Sequence, residues 1–203
     1  MIVLNYGLPR SGTLWTNAII RAILDHHGIA YRNAAPNARS LLPTVSQFVG
    51  QGLHRWQVLV LLTHDWSPEL AAALAGAEAH RLAFANLRDP RDVCAALMES
   101  EGAPLPETVA ATRRYAAKYG PCLRQTGAVG LRYEAAVDDS AALVAAVAAG
   151  MGLRLDTVDA RRIAARTAPD ETAADMWLAL PPDACAAVDE ALGPVAEGLG
   201  YDR

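Results

Sequence analysis

Apolar positions along the chain follow two alternating rhythms. Residues 2–6, "IVLNY", 58–64, "VLVLLTH", and 81–89, "RLAFANLRD", are short and almost continuously apolar, the pattern of strands buried on both faces. Residues 28–34, "GIAYRNA", and 128–134, "AVGLRYE", read as two further strands. Between these runs the apolar residues recur every three or four positions. Trp15, Ala18, Ile19, Ala22 and Ile23 mark a helix from Thr13 to His27 that Gly28 stops. "WSPELAAALAG", residues 66–76, opens a helix with Ser67 as N-cap and Pro68 at the first helical position. "PRDVCAALMES", residues 90–100, is a helix started by Pro90, and "ETVAATRRYAAKYG", residues 107–120, predicts one ending at Gly120. "SAALVAAVAAGMG", residues 140–152, predicts a buried or half-buried helix, and the chain from Asp156 onward reads as helical. Residues 34–57, with their Pro, Asn, Ser and Gly, predict loops around a short helix. Strands alternating with helices predict an α/β fold, a three-layer sandwich with a central parallel sheet. No repeat, low-complexity segment or linker divides it, so residues 1–203 are expected to form a single domain.

Composition narrows the functional classes. The chain is 52% apolar and 20% charged, which fits a folded soluble domain and not a disordered one. A net charge of -4 gives no general affinity for polyanions, so no nucleic-acid partner is expected and any anion site must be local. Cys94, Cys122 and Cys185 are widely spaced and odd in number, with neither a metal-ligand pattern nor a disulfide framework; they read as small buried apolar groups in a reducing compartment. "MIVLNYG" lacks a basic start, a long apolar run and a cleavage site, and the Ala-rich stretch is too short and Gly-broken to span a bilayer. The expected location is the cytoplasm, with no membrane partner.

Chemistry concentrates in "YGLPRSGTLW", residues 6–15. In a strand-loop-helix setting, glycines admit an anion close to the backbone and the helix start points free N–H groups at it. Gly7 and Gly12 have the spacing of G-x-x-x-x-G-K-[ST], but Thr13 stands where the lysine belongs and Leu14 where the metal-binding hydroxyl belongs. The cation comes earlier, from Arg10. Such a loop suits an anion of lower charge that needs no divalent metal. A glycine-containing turn without a ligand is the plainer alternative.

"PRSGTLW" resembles the P-K-S-G-T-T-W loop of the cytosolic sulfotransferases, whose fold is P-loop-NTPase-like. The resemblance implies that Arg10, Ser11, Gly12, Thr13, Leu14 and Trp15 hold the 5′-phosphosulfate of 3′-phosphoadenosine 5′-phosphosulfate (PAPS), without a metal. Arg10 would neutralise the bridging oxygen. Trp15 fits two roles equally, stacking near the adenine or plain helix core. "LTHD" resembles K-T-H-L-P, whose histidine is the catalytic base, so His64 is a catalytic candidate beside Arg10; Leu62 stands in place of the family lysine. "NLRDPRDVCAAL" resembles the R-x-P-[RK]-D segment that grips the 3′-phosphate, which assigns Arg88, with Ala96 where the family has serine. Arg91 and Asp92 read as surface charges at a helix start. "LRYEAAVDD" resembles Y-E-D-L and assigns Tyr133 to the adenine. Trp177, Leu199, Gly200 and Tyr201 follow the family ending in order, so the resemblance runs from end to end. Before Trp177, "PDETAADM" replaces the family's R-K-G segment, and Arg161, Arg162 and Arg166 are the basic residues of the preceding helix that could supply charge in its stead.

The reading implied is a PAPS-dependent sulfotransferase acting on a hydroxyl or amine of a small-molecule or carrier-bound acceptor. Two alternatives stand beside it: a catalytically impaired nucleotide-binding protein of the same fold, and a P-loop small-molecule kinase, which would need Mg²⁺ and ATP. His26 and His27 close a helix, and His54 and His80 have no partners at ligand spacing.

Overall fold

The computed structural model describes residues 1–34, 38–50, 58–76, 81–169 and 174–201. Five strands form one sheet: β1 (Ile2–Gly7), β2 (Tyr31–Ala34), β3 (Val58–Thr63), β4 (Arg81–Leu87) and β5 (Val129–Arg132). Their order is β2-β3-β1-β4-β5 and every neighbouring pair is parallel. β1 and β3 are buried at every position, because helices cover both faces of the sheet and each side chain must meet one. Val3, Val60 and Phe84 face α1 (Thr13–His26), α6 (Tyr133–Asp138), α7 (Ser140–Gly150) and α8 (Thr157–Thr167). Ile2, Leu4, Tyr6, Leu59, Leu61, Ala83 and Ala85 face α2 (Ala38–Gly50), α3 (Pro68–Ala75), α4 (Pro90–Glu101) and α5 (Leu105–Thr126). The three-layer α/β sandwich is therefore the one the alternating rhythms predict. A single 3₁₀ turn (Met176–Ala179) leads to α9 (Pro182–Gly198), whose Val188 and Leu192 close on Cys94 of α4.

The crossing of the chain puts β1 at the centre. β2 and β3 lie to one side of it, and the chain then passes over to β4 and β5 on the other. Ligands of open parallel sheets bind outside the carboxyl ends of the strands where the winding reverses. The loop after Gly7, the turn after Thr63 and the turn after Leu87 share that edge.

Several elements depart from the pattern read off the sequence. α5 does not stop at Gly120 but runs through Pro121 to Thr126, ending at the left-handed Gly127. Thr108, Thr112, Ala116, Tyr119 and Cys122 form one buried stripe across the break point, so packing against the sheet outweighs the backbone hydrogen bond that Pro121 cannot donate. β5 ends at Arg132 and Tyr133 already begins α6. β4 ends at Leu87, so Arg88 and Asp89 form the turn into α4. The region read as loops around a short helix carries α2, 13 residues long with Pro43 inside it. His54 and His80 lie outside the described residues. Among the described residues no helix is long and apolar enough to cross a membrane.

Candidate active site

The loop between β1 and α1 is shaped by two left-handed residues. Gly12, with φ 85°, caps α1, and Arg10, with φ 62°, precedes it. Left-handed backbone is natural for glycine and strained for arginine. Alternation of left-handed and ordinary residues makes successive N–H groups converge, the concavity that receives anions. Gly12 has no side chain to cap the first turn of α1, so the amides there keep their donor capacity for another acceptor. Gly7 is needed for a different reason. A Cβ on it would fall 2.7 Å from the Asn86 carbonyl oxygen, from Ser11 Oγ and from Thr13 Cγ2.

The individual loop residues divide sharply. Arg10 is exposed, whereas Ser11 and Thr13 are buried. Ser11 Oγ donates to the Leu8 carbonyl at 2.6 Å and lies 3.2 Å from the Asn86 carbonyl. Leu14 is 71% exposed, so beyond its amide it offers an anion nothing polar. Trp15 is buried in the core with Ile19, Leu143 and Tyr133, its ring edge-on to Tyr133 at 6.3 Å and 77°. Of the two roles open to Trp15 from the sequence, the packing here is that of helix core, and it does not decide the adenine contact. Its Nε1 is buried without a hydrogen-bond partner. A cavity of about 10 Å³, lined by Ser11, Trp15, Thr16, Asn86 and Tyr133 among others, lies beside it. That is room for one water and far below a purine, so a base can enter between Trp15 and Tyr133 only if the two rings part.

His64 follows β3 and lies against the root of the loop. Its Nδ1 is 2.9 Å from the Gly7 carbonyl oxygen. A carbonyl can only accept, so Nδ1 carries the proton and Nε2 is left with a lone pair. Burial lowers the pKa of the imidazole against the opposing pull of the Gly7 carbonyl, which keeps the ring neutral at neutral pH. The ring thus shares the strand edge with the loop after β1. The turn is held by the Asp65 amide donating to Thr63 Oγ1 at 3.0 Å and by an ion pair of Asp65 with Lys118 of α5. Leu62 is buried at 2% exposure among the strands, so no cation stands in its place.

Arg88 is buried, 4% exposed. It donates through Nη1 to the Arg10 carbonyl at 3.1 Å, pairs with Asp92 at 3.5 Å and stacks 4.4 Å over the Tyr133 ring. It ties the loop, the turn after β4 and the start of α6 together. Arg91 and Asp92 are not the surface charges expected at a helix start: they are 4% and 1% exposed. Arg91 binds Asp89 at 2.7 Å and Asp189 of α9 at 2.9 Å and lies over Trp177. Asp92 accepts from the amides of Asp175 and Trp177; burial raises its pKa while those amides and Arg88 pull it down. These charges are consumed in docking the C-terminal segment onto α4. Arg162 and Arg166 cannot replace the missing R-K-G segment. They line a surface pocket with Asp25 and His26 at the far end of α1, whose 14 residues put it roughly 20 Å from the loop. Among the described residues no group of three His, Cys, Asp or Glu side chains is placed to hold a metal ion.

Sequence reading missed the polar network beneath the loop. Asn5 and Asn86 are 0% and 2% exposed, inside strands whose other buried side chains are apolar or aromatic. That interruption is itself the available signal, since buried polar side chains are almost always hydrogen-bonded, and two such breaks in neighbouring strands imply a pair.

No protein-family model and no curated protein sequence matches the chain. Solved structures do. Mouse sulfotransferase SULT7A1, complexed with PAP, superposes with a TM-score of 0.69 at 14% identity, covering 96% of this chain and 82% of that one. Retinol dehydratase in complex with androsterone and the inactive cofactor PAP gives 0.61 at 12% identity, covering 100% and 82%. A sulfotransferase from Alicyclobacillus acidocaldarius gives 0.57 at 15% identity, covering 98% and 96%. The order of strands, the loop at the central crossing and these superpositions agree on one architecture: the chain has the sulfotransferase fold.

Proposed function

We propose that this protein transfers a sulfuryl group from PAPS to a hydroxyl or amine, with His64 as the base. The observation that carries the reading is the 2.9 Å contact from His64 Nδ1 to the Gly7 carbonyl. It sets the tautomer, leaves Nε2 as acceptor and puts the ring at the root of an anion loop. The residues present fit the phosphosulfate end of such a donor: a glycine cradle that a Cβ would fill, an exposed guanidinium at Arg10 and uncapped amides at the start of α1. Bound PAPS would supply the sulfuryl group and a phosphate leaving group. Arg10 and the amides of Gly12 to Leu14 would offset charge gathering on that phosphate. His64 Nε2 would take the acceptor's proton. Arg88, Trp15 and Tyr133 would meet the nucleoside end, the last two after their rings part. The acceptor is a small molecule or a carrier-bound group, and the setting is cytoplasmic.

Two measurements test this. His64→Ala is expected to lower the transfer rate at least a hundredfold while the dissociation constant for PAP (3′,5′-adenosine bisphosphate), by calorimetry, stays within threefold. In the unmodified protein kcat/KM is expected to fall as pH drops through the imidazole pKa, with the midpoint below the usual value of about 6.5 because burial disfavours the charged ring. Unchanged turnover with weakened binding in the variant contradicts the assignment.

A second reading has its own support. With Leu62 buried and apolar, Ala96 without a hydroxyl and Arg88 engaged with Arg10 and Asp92, the chain would bind the nucleotide without transferring. PAP binding without radiolabelled transfer to a mixed acceptor extract is the outcome that favours it. EDTA-sensitive binding of ATP would instead favour a kinase.

A further inference from the structure

The hydrogen bonds beneath the loop converge on one side chain. Asn86, near the end of β4, donates through Nδ2 to Asn5 Oδ1 at 2.6 Å and to the Tyr6 carbonyl at 3.0 Å, both on β1. Its Oδ1 accepts from Thr16 Oγ1 on α1. Its main-chain carbonyl lies 3.2 Å from Ser11 Oγ in the loop and 2.7 Å from where a Gly7 Cβ would stand. Asn5 completes the set by donating through Nδ2 to the Thr13 carbonyl at 2.8 Å. Every bond is buried. The register places Gly7 opposite Asn86 and Asn5 opposite Phe84, so both amides point to the α1 face, two residues apart along the sheet edge. An apolar pair would fill this space as well. The amides instead tie both ends of the loop, and the first turn of α1, to two neighbouring strands.

We infer that Asn86, acting with Asn5, is a positioning residue that sets the shape in which the loop receives its anion. This rests on reading residues 7–15 as the anion loop of the proposed enzyme, though the shape-setting role stands whichever anion binds. The prediction separates shape from stability. Replacing Asn86 alone leaves the Asn5 amide short of a partner and lowers the melting temperature. Replacing both with leucine, whose side chain has the same number and branching of heavy atoms, leaves no side-chain amide unsatisfied, and Thr16 can turn its hydroxyl to the Gly12 carbonyl one turn back.

The test uses amide hydrogen exchange by NMR on the full chain. The reporters are Ser11 and Thr16, whose N–H groups bond to the Leu8 and Gly12 carbonyls, with amides of β3 and α7 as reference. Asn86→Leu is expected to melt earlier and to speed reporter exchange at least tenfold. In Asn5→Leu/Asn86→Leu the melting temperature recovers most of the loss, yet the reporters stay at least tenfold fast relative to the reference amides, and PAP binds at least tenfold more weakly. Reporter exchange within twofold of the unmodified protein in both variants, or exchange that recovers together with the melting temperature, overturns the inference. If the leucine pair does not fold, Asn86→Ser, which removes the same two donors, is read by the same exchange criterion. Failure of the unmodified protein to bind PAP at millimolar ligand sinks the sulfotransferase reading and leaves the exchange comparison to decide the role of Asn86.

Discussion

Arg10 carries two properties that a single substitution removes together. It is the exposed cation of the loop sequence, and its backbone sits at φ 62°, a conformation that costs an L-residue with a Cβ on the order of 1 kcal/mol. Arg10→Gly removes both the charge and the strain. Glycine adds freedom to the unfolded chain by a similar amount, so the urea midpoint is expected to stay within the equivalent of about 1 kcal/mol. The PAP dissociation constant should rise at least tenfold. A large loss of stability in that variant would show that Arg10 holds the fold and not only the ligand. The positive charge of Arg10 is legible from the loop sequence; the left-handed backbone is not, and its carbonyl is held by Arg88, 78 residues away. Trp15 makes the same point from the other side. Helical spacing places it on the inner face of α1, but only Tyr133, 118 positions later in the chain, decides that the ring is packed and not open.

At the scale of the element, local chemistry reads well where the signal is local. Ser67 accepts from the Leu70 amide at 3.2 Å and Pro68 takes the first helical position of α3, as the S-P pair predicts. Ser67→Ala is expected to lower stability by about 1 kcal/mol with an unchanged m-value in urea; a shift near zero would mean that water replaces the cap at no loss. α5 shows the limit. Gly120-Pro121 is a strong local stop, yet the buried stripe from Thr108 to Cys122 runs straight through it. The tertiary surface available to those side chains outweighs one missing backbone bond. β5 errs in the opposite sense: its apolar pattern extends past Arg132, but β4 supplies partners only from Phe84 to Leu87, and the strand ends where its neighbour does.

At the scale of the molecule, the charges after β4 serve assembly. Arg91 is the junction between the turn into α4, the 3₁₀ turn and α9. Arg91→Met would preserve much of the volume and leave Asp89, 12% exposed at its side chain, without its cation. Breaking a buried pair in this way is expected to destabilise by about 3 kcal/mol, whereas Asp189, 38% exposed at its side chain, contributes little. Denaturation in urea measures the loss, and a drop below about 1 kcal/mol would mean that α9 is held without the Arg91 junction. Asp92 works alongside, accepting the amides of Asp175 and Trp177, so the approach to the 3₁₀ turn is anchored by a carboxylate next to Arg88.

The amino-acid sequence by itself determined the layered α/β architecture, the two glycines of the loop, the cap of α3 and the place of His64 at the end of a central strand. Those features follow from periodicity, backbone freedom and local hydrogen bonds, all carried within a few residues. Only the tertiary structure decided that Nδ1 of His64 faces the Gly7 carbonyl, that Arg91 and Asp92 are buried, and that Asn5 and Asn86 share one network. The reason is physical: a buried polar or charged group is stable only with a partner, and here those partners come from strands and helices up to 98 residues away.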